Sequence, residues 1–223
     1  MKGKLVVLEG VDASGKTTQY ELLKSRLAAD GVAVCPITFP CYESPSSAPV
    51  RMYLDGQFGT RPEDVNAYAA SALYAVDRFA SYKTDWGKAY EEGGFILAAR
   101  YTTSNAVHQA AKLPEGEREA YLSWLYEFEF EKMGLPKPDL VLFLDVPPEI
   151  SLKLLAARRD VTGQRDIHEE DPGYLTRCYT AAVTAAEHYG WARIHCTEGE
   201  ELRSVEDISD ELYARIRALL DPR

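Results

Sequence analysis

The chain has 223 residues, 46% of them hydrophobic, with no repeat, low-complexity run or Gly/Ser linker, which predicts one domain over residues 1–223 around one sizeable core. A formal charge of -10 at pH 7 argues against a nucleic-acid surface, which is broadly basic, so any phosphate site must be a local concentration of positive charge. Scattered cysteines at 35, 41, 178 and 196, and an opening apolar run of only Leu5 to Leu8, exclude a disulfide framework, a cysteine metal site, a signal-peptide core and a membrane span at that point; a reduced, cytoplasmic protein is expected.

In chain order, Lys4 to Glu9 reads as a short strand, and Lys16 to Ala29 as an amphipathic helix after a Gly-rich turn. Val32 to Phe39 is a second strand, closed by Pro40, and Pro45 to Leu54 a short helix. From Glu63 to about Tyr90 apolar residues recur at helical spacing until Gly93-Gly94. Phe95 to Ala98 is a third strand, and "TTSNAVHQAAKL" opens a helix with Thr and Ser available as caps. "EREAYLSWLYEFEFEKMG" is a helix stopped by Gly134, and "DLVLFLDV" a strand apolar enough to be buried on both faces. A helix from Pro148, a polar stretch from Arg158 to Asp171, a long helix, the strand "ARIHC" and a last helix to Leu220 complete the chain. This alternation predicts an α/β fold with a parallel sheet covered on both faces; strand order is not legible from it.

Gly10 to Thr17 fits G-x-x-x-x-G-K-[ST], placed between a strand and a helix as the motif requires. Backbone N–H groups of Gly10, Val11, Asp12, Ala13, Ser14 and Gly15, continuing into Lys16, Thr17 and Thr18, are expected to surround the phosphates of ATP. Lys16 would neutralise the β- and γ-phosphates and the Thr17 hydroxyl would ligate Mg²⁺. No N/T-K-x-D guanine-reading motif is present. Asp145, ending "LVLFLD", could serve a motor ATPase as a metal acid, but the "VPPE" after it favours a helix cap.

"LEGVDASGKTTQ" resembles the opening of thymidylate kinases, which phosphorylate dTMP from ATP, and the resemblance continues through "TFP", "YAVDRF", "ARYTTSNAVHQ" and "LPKPDLVLFLDVPPE". It implies a P-loop NTPase three-layer fold on a five-stranded parallel sheet, a homodimer, and a lid at about 157–171 that closes over ATP. It also implies that Asp12 faces the acceptor nucleotide; a turn-forming aspartate is the other reading. Tyr74 and Arg78, four apart on one helix face, would stack on and hydrogen-bond the thymine, whereas periodicity alone reads them as a core Tyr and an Arg paired with an acid. Arg100 would contact the acceptor phosphate, with Asn105, His108 and Gln109 beside it and Arg51 as a further phosphate contact. His108 stands where relatives often have an aromatic residue, and a surface histidine is its alternative. Cys41 and Tyr42 stand where relatives commonly carry an arginine after "FP". With Ala13 in the loop, the cation on the migrating phosphoryl would come from the lid, Arg158 or Arg159 first and Arg165 third, with Asp166 and Glu169 orienting it; a solvated charged face is the routine alternative.

One departure concerns the strand end. Thymidylate kinases typically place an aspartate immediately before the strand-end arginine, to help hold the metal and position that arginine, and this chain has Ala99. Three explanations stand: a natural variant using another acid such as Glu9 or Asp12, an introduced substitution that slows chemistry, or a degenerate binder, which the intact phosphate loop, Arg100 and lid stretch disfavour. The expectation is a dTMP kinase that binds both nucleotides and transfers slowly. Its rivals are a kinase for another deoxynucleotide or a deoxynucleoside, and a nucleotide-binding protein with little transfer.

Overall fold

In a computed structural model the described residues are 2–162, 172–199 and 201–221, with side chains left aside at 158–162 and 172. Strand β1 (Lys4–Gly10) is buried along all but its first residue, as a central strand with neighbours on both sides must be. It lies between β3 (Phe95–Ala99) and β4 (Leu140–Asp145); β2 (Val34–Thr38) and β5 (Ala192–His195) form the edges. The order β2-β3-β1-β4-β5 is parallel at every pairing. The five-stranded parallel sheet expected from the sequence is therefore present.

Successive β1 side chains point to opposite faces. Leu5 and Val7 enter one core with Ile96, Phe143, Tyr101 and Tyr121, while Val6 and Leu8 enter another with Leu23, Leu212 and Ile216. The second core is closed by α1 (Lys16–Ala29) and α9 (Val205–Leu220). The first is closed by α5 (Thr102–His108), α6 (Glu115–Tyr126) and α8 (Pro172–Tyr189). The chain leaves β1 toward one edge and later returns to β4 on the other side. That reversal opens a crevice at the carboxyl ends of β1, β3 and β4, where parallel sheets place their ligands.

Several elements differ from the sequence expectation. The stretch from Glu63 to Tyr90 is not one helix. Pro62–Asp64 is a 3₁₀ turn, Val65 is extended, and Asn66 starts α3 (Ala67–Ser81) by accepting the Ala69 N–H at 2.8 Å. An N-cap asparagine supplies the acceptor that a continuous helix would not need. A π-helical turn, Tyr82–Trp86, then leads into α4 (Gly87–Glu91), and a second, Glu127–Lys132, extends α6. The helix of "TTSNAVHQ" has no side-chain cap; its Thr103 and Ser104 hydroxyls instead donate to Glu9 at 2.7 Å each. The region around Gly199 forms a small antiparallel hairpin, β6 (Thr197–Glu198) and β7 (Glu201–Leu202), which period-two reading cannot detect in two-residue strands. No described helix is long and apolar enough to cross a membrane.

Candidate active site

The phosphate loop joins β1 to α1, and its geometry explains its sequence. A Cβ on Gly10 would lie 2.5 Å from Ser14 Oγ and 3.2 Å from the Leu144 carbonyl oxygen, so glycine there lets the loop close tightly against β4. Gly15 has φ 85°, a left-handed conformation that glycine adopts without steric penalty, and it is the N-cap of α1. Ala13, at φ 59°, takes the same region with a side chain attached; such backbone outliers gather at functional sites. Lys16 Nζ donates to the Gly10 and Val11 carbonyls at 2.6 and 2.7 Å, which holds its charge over the loop. No side chain caps α1 and no acid stands in its first turn, leaving its positive end facing the cleft. Residues Asp12 through Gln19 line this cleft, together with Thr38, Ala99, Leu154, Cys196, Leu202, Arg203, Val205 and Ile208.

A second cavity adjoins it, lined by Tyr74, Arg78, Tyr101, Ser104, Asn105, His108 and Gln109 among others. Asp12, Phe39, Pro40, Tyr42 and Arg100 line both spaces and form their common wall. Arg100 follows β3 with φ 67°, another left-handed non-glycine residue. Its guanidinium donates to Asp12 at 2.6 Å and meets His108 Nε2 at 3.0 Å. Burial works to raise the Asp12 carboxyl's pKa, but Arg100, with His108 and Lys16 behind it, holds it well below the usual carboxylate range. The Arg100 guanidinium is held charged in turn by Asp12 and Glu9 against the cost of burial. His108 is not a surface histidine: its Nδ1 lies 3.6 Å from the buried Cys178 thiol and its carbonyl accepts from Tyr174 Oη at 2.7 Å.

The family model for thymidylate kinase matches residues 8–208. The chain belongs to the thymidylate kinase family. It is 34% identical over 186 residues to the thymidylate kinase of Mycobacterium tuberculosis (strain ATCC 25618 / H37Rv), covering 81% of this chain and 84% of that one. It is 27% identical to the thymidylate kinase of Prochlorococcus marinus (strain MIT 9303), covering 100% of this chain and 97% of the relative. The fold matches the solved thymidylate kinase of Candida albicans with TM-score 0.73 at 19% identity, over 98% of this chain and 93% of that chain.

Of the acceptor residues that the thymidylate kinase resemblance implied, Asp12, Tyr74, Arg78, Arg100, Asn105, His108 and Gln109 all line the second cavity. Arg51 is not among its lining residues; its guanidinium donates to Tyr42 O, Ser44 O and Ser47 Oγ and so holds the loop after Pro40. Arg78 is 1% exposed and paired with Glu129, so the sequence alternative of an arginine bound to an acid describes its contacts, although it also faces the cavity. Asp145 is neither cap nor free acid. Its carboxylate accepts from Tyr179 Oη at 2.9 Å and Arg193 Nη2 at 2.8 Å and lies 3.0 Å from His195 Nδ1.

Two residues that position this site had no assignment from sequence. Asp77, in "YAVDRF", accepts from Cys41 N at 2.8 Å and Ser46 Oγ at 2.6 Å, tying the loop after Pro40 to α3. Glu129 sits in "EFEFEK", where alternating charge reads as a solvated face; the π-helical turn that buries it leaves no period to find. The expected lid is partly reached. Helix α7 (Pro148–Thr162) includes the backbone of Arg158 and Arg159, while Arg165, Asp166 and Glu169 lie outside the described residues.

The donor set suits Mg²⁺ carried by ATP. Thr17 offers an exposed hydroxyl in the cleft, and no group of three His, Cys, Asp or Glu able to hold a metal occurs among the described residues. Mg²⁺ commonly takes phosphate oxygens and water with only one or two protein oxygens. Glu9 is not placed to add one: it is wholly buried and accepts from Gly10 N, Thr103 Oγ1 and Ser104 Oγ.

Proposed function

We propose that the chain transfers the γ-phosphoryl group of ATP to dTMP, giving ADP and dTDP. The observation that carries this reading is the common wall: the phosphate-loop cleft and the cavity with the acceptor residues meet at Asp12 and Arg100. An acceptor phosphate oxygen attacking there forms a bond to the γ-phosphorus while the bond to the β,γ-bridging oxygen breaks, and ADP leaves. Catalysis then rests on positioning and charge. Lys16 would bind the donor phosphates, Arg100 the acceptor phosphate, and Tyr74, Arg78 and Asn105 the base. When bound, Mg²⁺ would sit with the ATP phosphates and Thr17 and neutralise developing charge. Leu154 lines the donor cleft, and Arg158 follows it by one turn of α7, which supports a lid-side cation. A coupled ADP assay over dTMP, dCMP, dGMP and thymidine should show dTMP as the fastest acceptor; equal rates with thymidine would refute the monophosphate assignment.

We infer that turnover is slow because of Ala99, which lines the cleft with a methyl group where the family typically has a carboxylate. Ala99→Asp should raise kcat at least roughly tenfold, about 1.4 kcal/mol of barrier, and steepen the Mg²⁺ dependence. Unchanged turnover in a wild-type protein already fast would place the metal acid elsewhere.

A homodimer is proposed on the outer stripe of α3. Tyr68 and Val76 are 41% and 50% exposed, and the Tyr68 ring lies 4.7 Å from that of Trp124, which stacks on Phe128. Exposed apolar side chains beside half-buried Trp124 and Phe128 form a patch of the kind that marks interfaces. Val76→Glu should shift the sedimentation-equilibrium mass toward a single chain, and an unchanged mass would place the interface elsewhere. A cytoplasmic location fits the four free cysteines.

A further inference from the structure

Behind the acceptor cavity, Glu129 is wholly buried and collects the polar groups around it. Its Oε2 accepts from Arg78 Nε at 2.7 Å and from Thr102 Oγ1 at 2.6 Å. Its Oε1 accepts from Arg78 Nη2 at 2.5 Å and from Asn105 Nδ2 at 3.3 Å. Asn105 Nδ2 also donates to the Ser71 carbonyl at 3.3 Å. A carboxylate in an ion pair and a carbonyl offer acceptors only, so the amide of Asn105 must turn its NH₂ toward them. Its Oδ1 is thereby left as an acceptor. Arg78, with Nε and Nη2 fixed on Glu129, keeps Nη1 as a donor whose one hydrogen bond among the described residues is a long 3.5 Å approach to Tyr101 O. Arg78 and Asn105 both line the cavity, and Glu129 is not among its lining residues.

We propose that Glu129 is a positioning residue that sets the hydrogen-bond polarity of the acceptor base site: a donor from Arg78 beside an acceptor from Asn105. The proposal rests on the reading of this cavity as the dTMP site. Thymine presents O4 as an acceptor next to the N3–H donor, whereas cytosine presents an N4 amino donor next to the N3 acceptor. The polarity that Glu129 fixes together with the Ser71 carbonyl therefore matches thymine and opposes cytosine. A glutamine at this position would turn an NH₂ against the donors of Arg78 or Asn105. Relief comes from flipping the Asn105 amide at the cost of its bond to the Ser71 carbonyl; the flipped NH₂ is offered to the base and moves the preference toward cytosine.

The test measures Kd for dTMP, dCMP and an ATP analogue by calorimetry in wild type and Glu129→Gln. The dTMP-over-dCMP preference should fall at least roughly tenfold in the variant, with ATP-analogue binding kept, since sites built on hydrogen bonds discriminate by leaving the wrong partner unpaired. A merely structural role would weaken both deoxynucleotides in proportion. Wild type without a preference for dTMP would overturn the cavity reading and the proposal with it. A wild-type preference that persists in folded Glu129→Gln overturns the proposal alone. If Glu129→Gln is not recovered folded, Glu129→Asp decides, because it keeps an acceptor-only group. A preference retained within about threefold supports the proposal and a lost preference overturns it.

Discussion

Lys16→Met should reduce phosphoryl transfer by at least roughly a hundredfold, the scale of losing one preorganised charge at a developing anion. The melting temperature should stay within a few degrees of wild type, since surface-side changes that touch no core contact are usually worth about 0.5 kcal/mol or less. Lys16 Nζ donates to the Gly10 and Val11 carbonyls and lies 3.4 Å from Ser14 Oγ, all groups of its own loop. Methionine keeps the length and apolar stem while removing the charge, so an unaltered fold isolates the electrostatic role. Turnover near wild type would remove the phosphate loop from the mechanism.

Arg78→Ala should have the largest effect on stability. The Arg78–Glu129 pair is side-chain buried to 2% and 0% exposure, and removing one partner leaves an uncompensated charge in the interior. Breaking such pairs costs about 3–5 kcal/mol. For a chain of this size that corresponds to a fall in melting temperature on the order of 10 °C. Weaker dTMP binding in the single variant would therefore mix a lost base contact with a disturbed core. Arg78→Ala combined with Glu129→Leu separates the two: stability should return in part, because no buried charge remains although Thr102 Oγ1 and Asn105 Nδ2 lose an acceptor, while dTMP affinity should stay low. If both stability and dTMP affinity return, Arg78 does not read the base. ATP-analogue affinity should move little in either variant.

The sequence was most legible where chemistry is local. The phosphate loop needs its glycines and lysine at fixed offsets within one turn, so Gly10, Gly15 and Lys16 can be read without a fold. The strand β4 announced its burial on both faces by a near-continuous apolar run, though not its place in the sheet. The cavity lining came from the family resemblance, since Tyr74, Arg78, Asn105 and His108 gather from helices far apart in sequence. What no local pattern holds is the partner of a buried charge. Glu129 lies 51 positions from Arg78, and Asp77 reaches 36 positions back to Cys41. Asp145 was misread for the same reason: a strand-end acid followed by prolines looks like a cap, but its partners arrive from α8 and β5. The two π-helical turns were also invisible, because they shift the helical period by one residue within otherwise regular patterns.

The common wall has a thermodynamic meaning. Arg100 extends into the acceptor side from a strand end, while its ion-pair partner Asp12 belongs to the loop that receives the donor. On the proposed reading, an acceptor phosphate bound by Arg100 would compete with Asp12 for the guanidinium, and the donor loop would register the change. Occupancy of one side would thus be linked to occupancy of the other. Linkage is reciprocal by necessity: whatever factor dTMP imposes on the affinity for ATP, ATP imposes on the affinity for dTMP. On that reading, the Arg100–Asp12 ion pair would be the place where the two affinities are coupled.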